Sequence, residues 1–235
     1  MIFETINIAN GQQGEATLEF SIVLEDYKWT DSNGNIFDSN WIELDNPTTV
    51  IFNDNDNAPA PIDMAINFPF DDRIFTQCTI NPNGWIGLDG DSGAWDNSIL
   101  PTDQVPGAAI FGMWDDLNPQ NNSGNASASG NAYYYRDPAG EYFVVWYDHV
   151  VTWQGNDTSG EFDFQIVLHS DGNFELNYRE IIGNAGSATV GFQDESGTSG
   201  TLIAFNENFI QSEQSIFDAK TTELEWLTVG TQTGE

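Results

Sequence analysis

Two adjacent carboxylates follow an apolar run near the middle of the chain. Asp115 and Asp116 come directly after Trp114, and Asn118 and Pro119 stand just beyond them. Adjacent residues of a strand face opposite sides of a sheet, so both carboxylates can act together only where the strand ends or bends. Hard cations such as Ca²⁺ take about six to eight oxygen ligands. The pair is therefore a candidate for part of a calcium site, and turn capping is the alternative interpretation.

Further oxygen ligands are available in an earlier polar loop. Asp54 and Asp56 alternate with asparagines there and could complete a ligand set with Asp115 or Asp116. This run lacks the Gly and the terminal Glu of an EF-hand loop. Because the chain has one Cys and two His, any bound metal is predicted to be a hard cation held by carboxylate and amide oxygens.

Tryptophan side chains suggest a second kind of chemistry. The chain has eight of them, and flat aromatic faces suit sugar rings while acidic side chains accept hydrogen bonds from hydroxyl groups. Trp85, Trp114 and Trp146 fall in apolar runs, which predicts that they are core residues. Trp95 and Trp153 fall in loop-like stretches and are the candidates for glycan binding.

The sequence contains no convincing set of catalytic residues. Glu161 and Asp163 share one predicted strand face, as the two carboxylates of a jelly-roll glycosidase would, but the predicted hairpin pairs Asp163 with Arg179. Neither His149 nor His169 accompanies a Gly-x-Ser-x-Gly nucleophile motif. The sequence also has no zinc-type Cys/His cluster and no phosphate-binding glycine loop. It therefore predicts no enzyme, and a glycosidase is the least favoured alternative.

Composition excludes several partners. The chain of 235 residues carries 37 acidic and five basic side chains, a formal charge of -32. Such a charge repels nucleic-acid phosphates and anionic lipid surfaces, and it favours cations or simple solubility. No apolar stretch reaches the roughly 18 to 20 residues that span a bilayer, so no membrane insertion is expected. Cys78 has no partner for an internal disulfide and is predicted to be a buried thiol.

The strands and turns predict an antiparallel β-sandwich. Short segments of period two, punctuated by Gly, Asn, Asp and Pro, are typical of that class. In one hairpin, a three-residue loop at Ser170–Gly172 sets Leu168 opposite Phe174 and Asp163 opposite Arg179, because that register places all apolar side chains on one face.

Other expectations follow from the same patterns. The opposite face of this hairpin carries Gln165 and Val167 and resembles an exposed or interlayer surface. The turn at Asp137–Gly140 is predicted to set Arg136 opposite Glu141. Trp114 ends an apolar run that is typical of a central strand, which predicts burial between the two sheets.

Several runs together resemble the nidogen-like module, which recurs in large secreted bacterial proteins and is often appended to proteases. They are Tyr27–Ser32, Trp41–Leu44, Phe68–Phe70, Asn83–Gly87, Met113–Leu117, Gly130–Arg136, Glu141–Asp148 and Ala188–Phe192. The resemblance implies an extracellular or cell-surface β-sandwich with an accessory role, and it implies no shared catalytic residues.

Domain boundaries are predicted from the extent of the resemblance. The module is expected over residues 25–207, in a jelly-roll-like sandwich with flanking strands from adjacent immunoglobulin-like repeats. Residues 1–24 contain an alternating run, Ala16–Leu24, interpreted as the end of a preceding repeat. Residues 208–235 are interpreted as a linker, with a short helix as the other possibility for 208–217, followed by the start of the next repeat at Glu223–Gly230.

The sequence thus predicts a non-catalytic binding, adhesion or spacer module of a larger secreted or cell-surface protein, with Ca²⁺ as a candidate stabilising ion. Its expected partners are neighbouring domains of the same chain, glycans or surface proteins. A carbohydrate-binding module is the main alternative.

Overall fold

The computed structural model describes residues 23–34, 39–124, 127–153 and 160–224. Over these residues the chain forms thirteen strands and one 3₁₀ turn at Ser32–Gly34. The strands are β1 (Val23–Asp31), β2 (Thr48–Thr49), β3 (Ile62–Phe70), β4 (Arg73–Asn81), β5 (Trp85–Gly87), β6 (Ala109–Trp114), β7 (Asn131–Arg136), β8 (Tyr142–Val151), β9 (Gly160–His169), β10 (Phe174–Gly183), β11 (Thr189–Gln193), β12 (Gly200–Phe205) and β13 (Gln214–Leu224).

The strands form two antiparallel sheets that pack as a sandwich. One sheet has the order β1-β13-β10-β9-β8-β7-β2 and the other has the order β12-β11-β6-β5-β4-β3. Neighbouring strands pair in antiparallel register throughout the described ladders. The prediction of an all-β antiparallel sandwich is therefore confirmed.

The main core lies between the sheets and is built by alternation of side chains along the strands. Ile110 of β6 and Ile166 of β9 belong to this core, whereas their chain neighbours Phe111 and Gln165 point to the outer faces. The sheets lie close together at Gly112, where a Cβ atom would meet the Ile166 side chain at 2.9 Å. Across the same gap the Tyr178 hydroxyl donates to the Gly112 carbonyl at 2.6 Å.

The β9–β10 hairpin has the predicted three-residue loop. Leu168 pairs with Phe174, and Gly172 adopts a φ of 94°. The prediction that Arg179 lies opposite Asp163 is wrong, because a bulge after Tyr178 sets Glu180 there instead. Arg179 nevertheless donates to the Asp163 carboxylate at 2.6 Å. The charge pair thus forms in space although the ladder register shifts by one residue.

The β7–β8 hairpin differs from its predicted register by two residues. The turn forms as expected, since the Gly140 amide donates to the Asp137 carbonyl at 2.9 Å. Arg136, however, pairs with Phe143 rather than with Glu141. An even shift keeps every side chain on its predicted face, which is why the aromatic pattern alone could not exclude the wrong register.

The β5–β6 loop (residues 88–108) covers the outer face of the six-stranded sheet. Leu100 and Val105 of this loop bury a second apolar cluster that contains Trp85, Phe111 and Trp114. Trp114 is fully buried, but the prediction that it lies between the sheets is wrong. A bulge in β6 explains part of the error, because the amides of residues 112 and 113 both donate to the carbonyl of residue 84 and the alternation shifts there.

The outer face of the seven-stranded sheet is covered by hydrogen-bonded main chain. A cover segment (residues 39–44) lies over it, and the Gln165 side chain bonds both the amide of Ile42, at 3.2 Å, and its carbonyl, at 2.8 Å. Gln165 and Val167 are consequently buried, so the prediction of an exposed or interlayer face is only partly right. Trp146, predicted to be core, is half-buried here beside Trp41, with ring centroids 6.1 Å apart.

The C-terminal part of the described chain also contributes to the sandwich. Residues 208–213 form irregular structure, and β13 then pairs with β10, placing Ile216 in the main core. Residues Tyr27–Lys220 form one compact unit. Most of the two predicted repeat strands, Ala16–Leu24 and Glu223–Gly230, lies outside the described residues, and the flanking repeats remain predictions.

Two further expectations can be compared with the structure. Cys78 is buried on β4, as predicted, and its burial raises the pKa of the thiol to about 12. Within the ranges that the structure describes, none of the helical segments has the length and apolar character needed to cross a bilayer.

Candidate functional site

The predicted site residues converge at one end of the sandwich. β4 ends there at Asn81, β6 ends at Trp114, and β8 ends at Val151. The segments that follow β6 and β8 are tied together, because the Trp153 amide donates to the Asp116 carbonyl at 2.8 Å. Two segments separated in sequence therefore bring a predicted carboxylate and a predicted aromatic residue side by side.

Two buried asparagines position the loops around this end. Asn81 donates from its side chain to the Asp56 carbonyl at 2.8 Å and to the Asp91 carboxylate at 2.6 Å. Asn83 accepts from the Leu117 amide at 3.0 Å and donates to the Asn55 carbonyl at 3.3 Å. Both asparagines are fully buried. Their amide groups satisfy loop main chain in place of water and fix the loop before β3 against the residues after β6.

Trp95 is held in place through the residue before it. The Ala94 carbonyl accepts hydrogen bonds from the indole N–H groups of both Trp85 and Trp114, each at 3.0 Å. These two buried rings thereby anchor the loop backbone beside Trp95, whose own side chain is 47% exposed. The exposed aromatic side chain thus stands on a fixed main chain.

A cleft of about 200 Å³ opens between these loops. Its lining residues are Asn55, Asp56, Trp95, Asp116 and Trp153. The structure therefore brings both predicted glycan-binding tryptophans together with two of the four predicted metal-binding carboxylates. We refer to this space as the loop cleft.

The other two predicted metal ligands serve the loops themselves. Asp54 accepts from the amides of Asp56, at 3.0 Å, and Asn57, at 2.7 Å, which closes its own turn. Asp115 is buried, accepts from the Ser187 hydroxyl, and also accepts from the Asp116 amide at 2.8 Å. Asp115 and Asp116 thus diverge after β6, as the geometry of adjacent residues requires.

The carboxylates around the cleft differ in their electrostatic surroundings. The pKa of Asp54 is lowered, chiefly because the Asn57 amide donates to its charged form. The pKa of Asp56 is raised by burial and by the nearby charge of Asp54. Burial also raises the pKa of Asp115, against the effect of the Ser187 hydrogen bond. Ionisation of Asp56 therefore costs more free energy than ionisation of an ordinary surface aspartate.

Asp163 and His149, two of the residues weighed for catalysis, are engaged in hydrogen bonds outside the loop cleft. Asp163 accepts from the Trp146 indole at 2.6 Å and from Arg179, on the outer face of the seven-stranded sheet. His149 bonds Asp148 at 2.5 Å, which raises the pKa of its imidazole. Asp148, His149 and Asp163 lie close enough to share a metal ion, but Asp163 already has two donors. This group is therefore best explained as a structural charge network.

Sequence reasoning missed the residues that build the loop cleft. Asn55, Asn81 and Asn83 were not identified as site residues, although the run Asn81-Pro82-Asn83-Gly84 is a strong turn signal. That signal locates a turn. It does not reveal that the two asparagine side chains hold two distant loops.

The fold is an antiparallel β-sandwich with a cleft between the loops at one end. Comparison with protein families matches residues 26–231 to the family described as NIDO related, and the chain belongs to this family. The predicted resemblance to nidogen-like modules, a type that is typically extracellular, is thereby confirmed. No curated protein and no solved structure gives a match to the chain.

Proposed function

We propose that the chain is a non-catalytic binding module of a larger secreted or cell-surface protein, and that the loop cleft binds carbohydrate. The observation that carries this proposal is the meeting of Trp95 and Trp153 with Asp56, Asp116 and Asn55 around one cleft. Aromatic faces pack against the apolar face of a sugar ring. Carboxylate and amide groups bond its hydroxyl groups.

The small volume and the fixed main chain of the cleft favour a ligand that makes only a small contact with the protein. Its volume of about 200 Å³ lies below the roughly 300 to 1,000 Å³ of typical small-molecule pockets. A cleft of this size suits one sugar unit, with the rest of a glycan chain extending into solvent. The fixed main chain at Ala94 and the two buried asparagines reduce the ordering that binding must supply.

A glycan array followed by titration calorimetry tests the proposal. Trp95→Ala and Trp153→Ala are each expected to weaken binding about tenfold or more, equivalent to about 1.4 kcal/mol. Trp29→Ala is the matched control, because Trp29 is also exposed, at 39%, but lies on β1 outside the cleft. Binding that survives both cleft substitutions would place the sugar elsewhere. A blank array would leave adhesion to proteins or spacing as the function.

Calcium is the cofactor proposed for the same carboxylates. Asp56, Asp116 and Asn55 offer only part of the six to eight or so oxygens that Ca²⁺ requires, so water or ligand oxygens must complete the shell. Melting should be compared in millimolar Ca²⁺ and in NaCl of equal ionic strength, for the wild type and for Asp116→Asn. A specific site requires extra stabilisation by Ca²⁺ that the variant loses. Equal shifts in both proteins would indicate screening alone.

A further inference from the structure

Among the residues that the structure describes, the loop cleft is lined by negative charge and by no positive charge. Asp56 and Asp116 line it, and the remaining lining residues are two tryptophans and an asparagine. The whole chain has 37 acidic side chains against five basic ones. An approaching anion therefore meets repulsion both at long range and at contact, whereas a cation is attracted in both cases.

Arginine side chains in the described part of the chain have partners away from this cleft. Arg73 bonds Asp89 at 2.6 Å, Arg136 donates to the Asp63 carbonyl at 2.6 Å, and Arg179 bonds Asp163. Recruiting one of them to neutralise a bound carboxylate or sulfate group would break these contacts. The described lining of the cleft therefore offers no positive charge to compensate a negatively charged sugar.

Both kinds of lining side chain favour a bound cation. Asp56 is partly removed from water and lies near the Asp54 charge, so an added positive charge would stabilise its ionised form. Indole faces also attract cations through their negative π surface, most strongly among the aromatic side chains. Trp95 and Trp153 can thus contact an ammonium group as well as an uncharged ring.

We infer that the loop cleft selects amine-bearing sugars, such as glucosamine units with a free 2-amino group, over their N-acetylated and carboxylate-bearing counterparts. This inference rests on the proposed function, because it requires that the cleft binds carbohydrate. The ring packs on the tryptophans, and the ammonium group bonds Asp116 or Asp56. Such charge-assisted hydrogen bonds are about twice as strong as those between neutral groups.

Three short oligosaccharides of equal length test the selectivity by calorimetry at pH 6 with EDTA present. They are a β-1,4-linked glucosamine tetramer, the same tetramer fully N-acetylated, and a galacturonic acid tetramer. The first two differ only in the charge and bulk at the amine. The amine form is expected to bind about tenfold more tightly than the acetylated form, and the uronate is expected to bind least. Equal binding of the amine and acetylated forms would overturn the inference.

Asp116→Asn tests whether the cleft carboxylate supplies the selectivity. This near-isosteric change should reduce the amine preference to about threefold or less while binding of the acetylated form persists. Asp72→Asn is the matched control, because Asp72 is exposed just before the opposite end of β4, about 30 Å from Asn81 along the strand direction. An equal loss in both variants would overturn the inference in favour of long-range attraction. Absence of binding by all three sugars would overturn the inference, whereas binding unaffected by both Trp95→Ala and Trp153→Ala would instead refute the proposed function.

Discussion

The outer faces of the two sheets are each covered by an irregular segment, and the two covers differ in how much apolar surface they bury. On the six-stranded sheet, the β5–β6 loop buries Trp85, Phe111 and Trp114 in a second apolar cluster. On the seven-stranded sheet, the cover segment buries polar residues, and Gln165 satisfies both the amide and the carbonyl of Ile42. Side-chain hydrogen bonds to main chain therefore hold both segments, as from Gln193 to Thr102 and from Gln165 to Ile42, and the cover of the six-stranded sheet adds a large apolar cluster.

Apolar burial and hydrogen bonding differ in how strictly they fix the position of the covering segment. Apolar burial tolerates small shifts because it has no strict direction. Hydrogen bonds to main chain fix one register, since an unpaired buried amide or carbonyl costs about 1 to 3 kcal/mol. The apolar cover also holds the Ala94 carbonyl and hence the exposed Trp95 of the loop cleft. The six-stranded sheet thereby couples its packing to the candidate site.

Removal of the Trp114 side chain is expected to have the largest effect. Trp114→Ala empties a fully buried site and breaks the indole bond to Ala94. The free energy of unfolding should fall by about 3 to 5 kcal/mol, as measured by urea denaturation. Trp95→Ala is the control from the same loop and should cost less than about 1 kcal/mol, because that side chain is half exposed. Similar losses for the two variants would contradict the apolar-cover interpretation.

Gln165→Leu tests the polar cover. The substitution preserves approximate volume but leaves the amide and carbonyl of Ile42 without their side-chain partner. We expect a loss of about 2 to 3 kcal/mol in urea denaturation. Gln120→Leu, at an exposed polar position, should change stability by no more than about 0.5 kcal/mol. A neutral or stabilising Gln165→Leu would show that apolar contact alone can hold this segment.

Asp218 lies in a third environment, between the two sheets. It pairs across the ladder with Phe174, is fully buried, and within the described residues neither of its carboxylate oxygens has a hydrogen-bond partner. Burial raises the pKa of this carboxyl from 3.8 to about 8. An unfolded chain would ionise near the lower value, so stability should fall as pH rises from about 4 to about 8.

Asp218→Asn should remove this loss of stability. Its Tm advantage over the wild type is expected to grow from pH 5 to pH 8 and to reach about 4 °C or more at pH 8. Asp103→Asn, at an exposed loop position, provides the control for a general change in charge. Parallel profiles of Tm against pH for Asp218→Asn and the wild type would refute a buried neutral carboxyl.

The smallest expected effect comes from His149, beside the polar face. Its imidazole bonds Asp148, which raises the pKa of His149 above 6.5. This contribution to stability should be complete below about pH 6.5 and should be lost as the pH rises through the folded-state pKa. Because the side chain is 44% exposed, His149→Gln should lower Tm by only about 1 to 2 °C at pH 6. A histidine pKa at or below 6.5 by NMR titration would contradict this account.

Local patterns predicted much of the strand architecture. Alternation of apolar side chains and the glycine at residue 172 were sufficient to predict the β9–β10 loop and its first pairs. Register failed where a bulge intervened, at Arg179, and where an even shift left the pattern unchanged, at Arg136. Neither event alters the sequence periodicity on which such predictions depend.

The candidate site was predictable as a set of residue types and only partly as an arrangement. Trp95, Trp153 and the acidic loop residues were identifiable because their surroundings in sequence are polar. Their meeting in one cleft depends on Asn81 and Asn83, whose side chains bond loops distant in sequence. Single-residue patterns carry no information about such long-range partners.

The sequence by itself determined the sandwich class, the acidic character and the nidogen-like resemblance, because alternation, charge and ordered motifs are local or additive properties. Only the tertiary structure decided which face of each strand is covered, and by what. Trp114 and Gln165 each occupy an outer face of a sheet, and both are buried because segments distant in the chain fold over them. Burial is a property of the whole packed chain, so the periodicity of one strand distinguishes its two faces but cannot reveal which segment covers them.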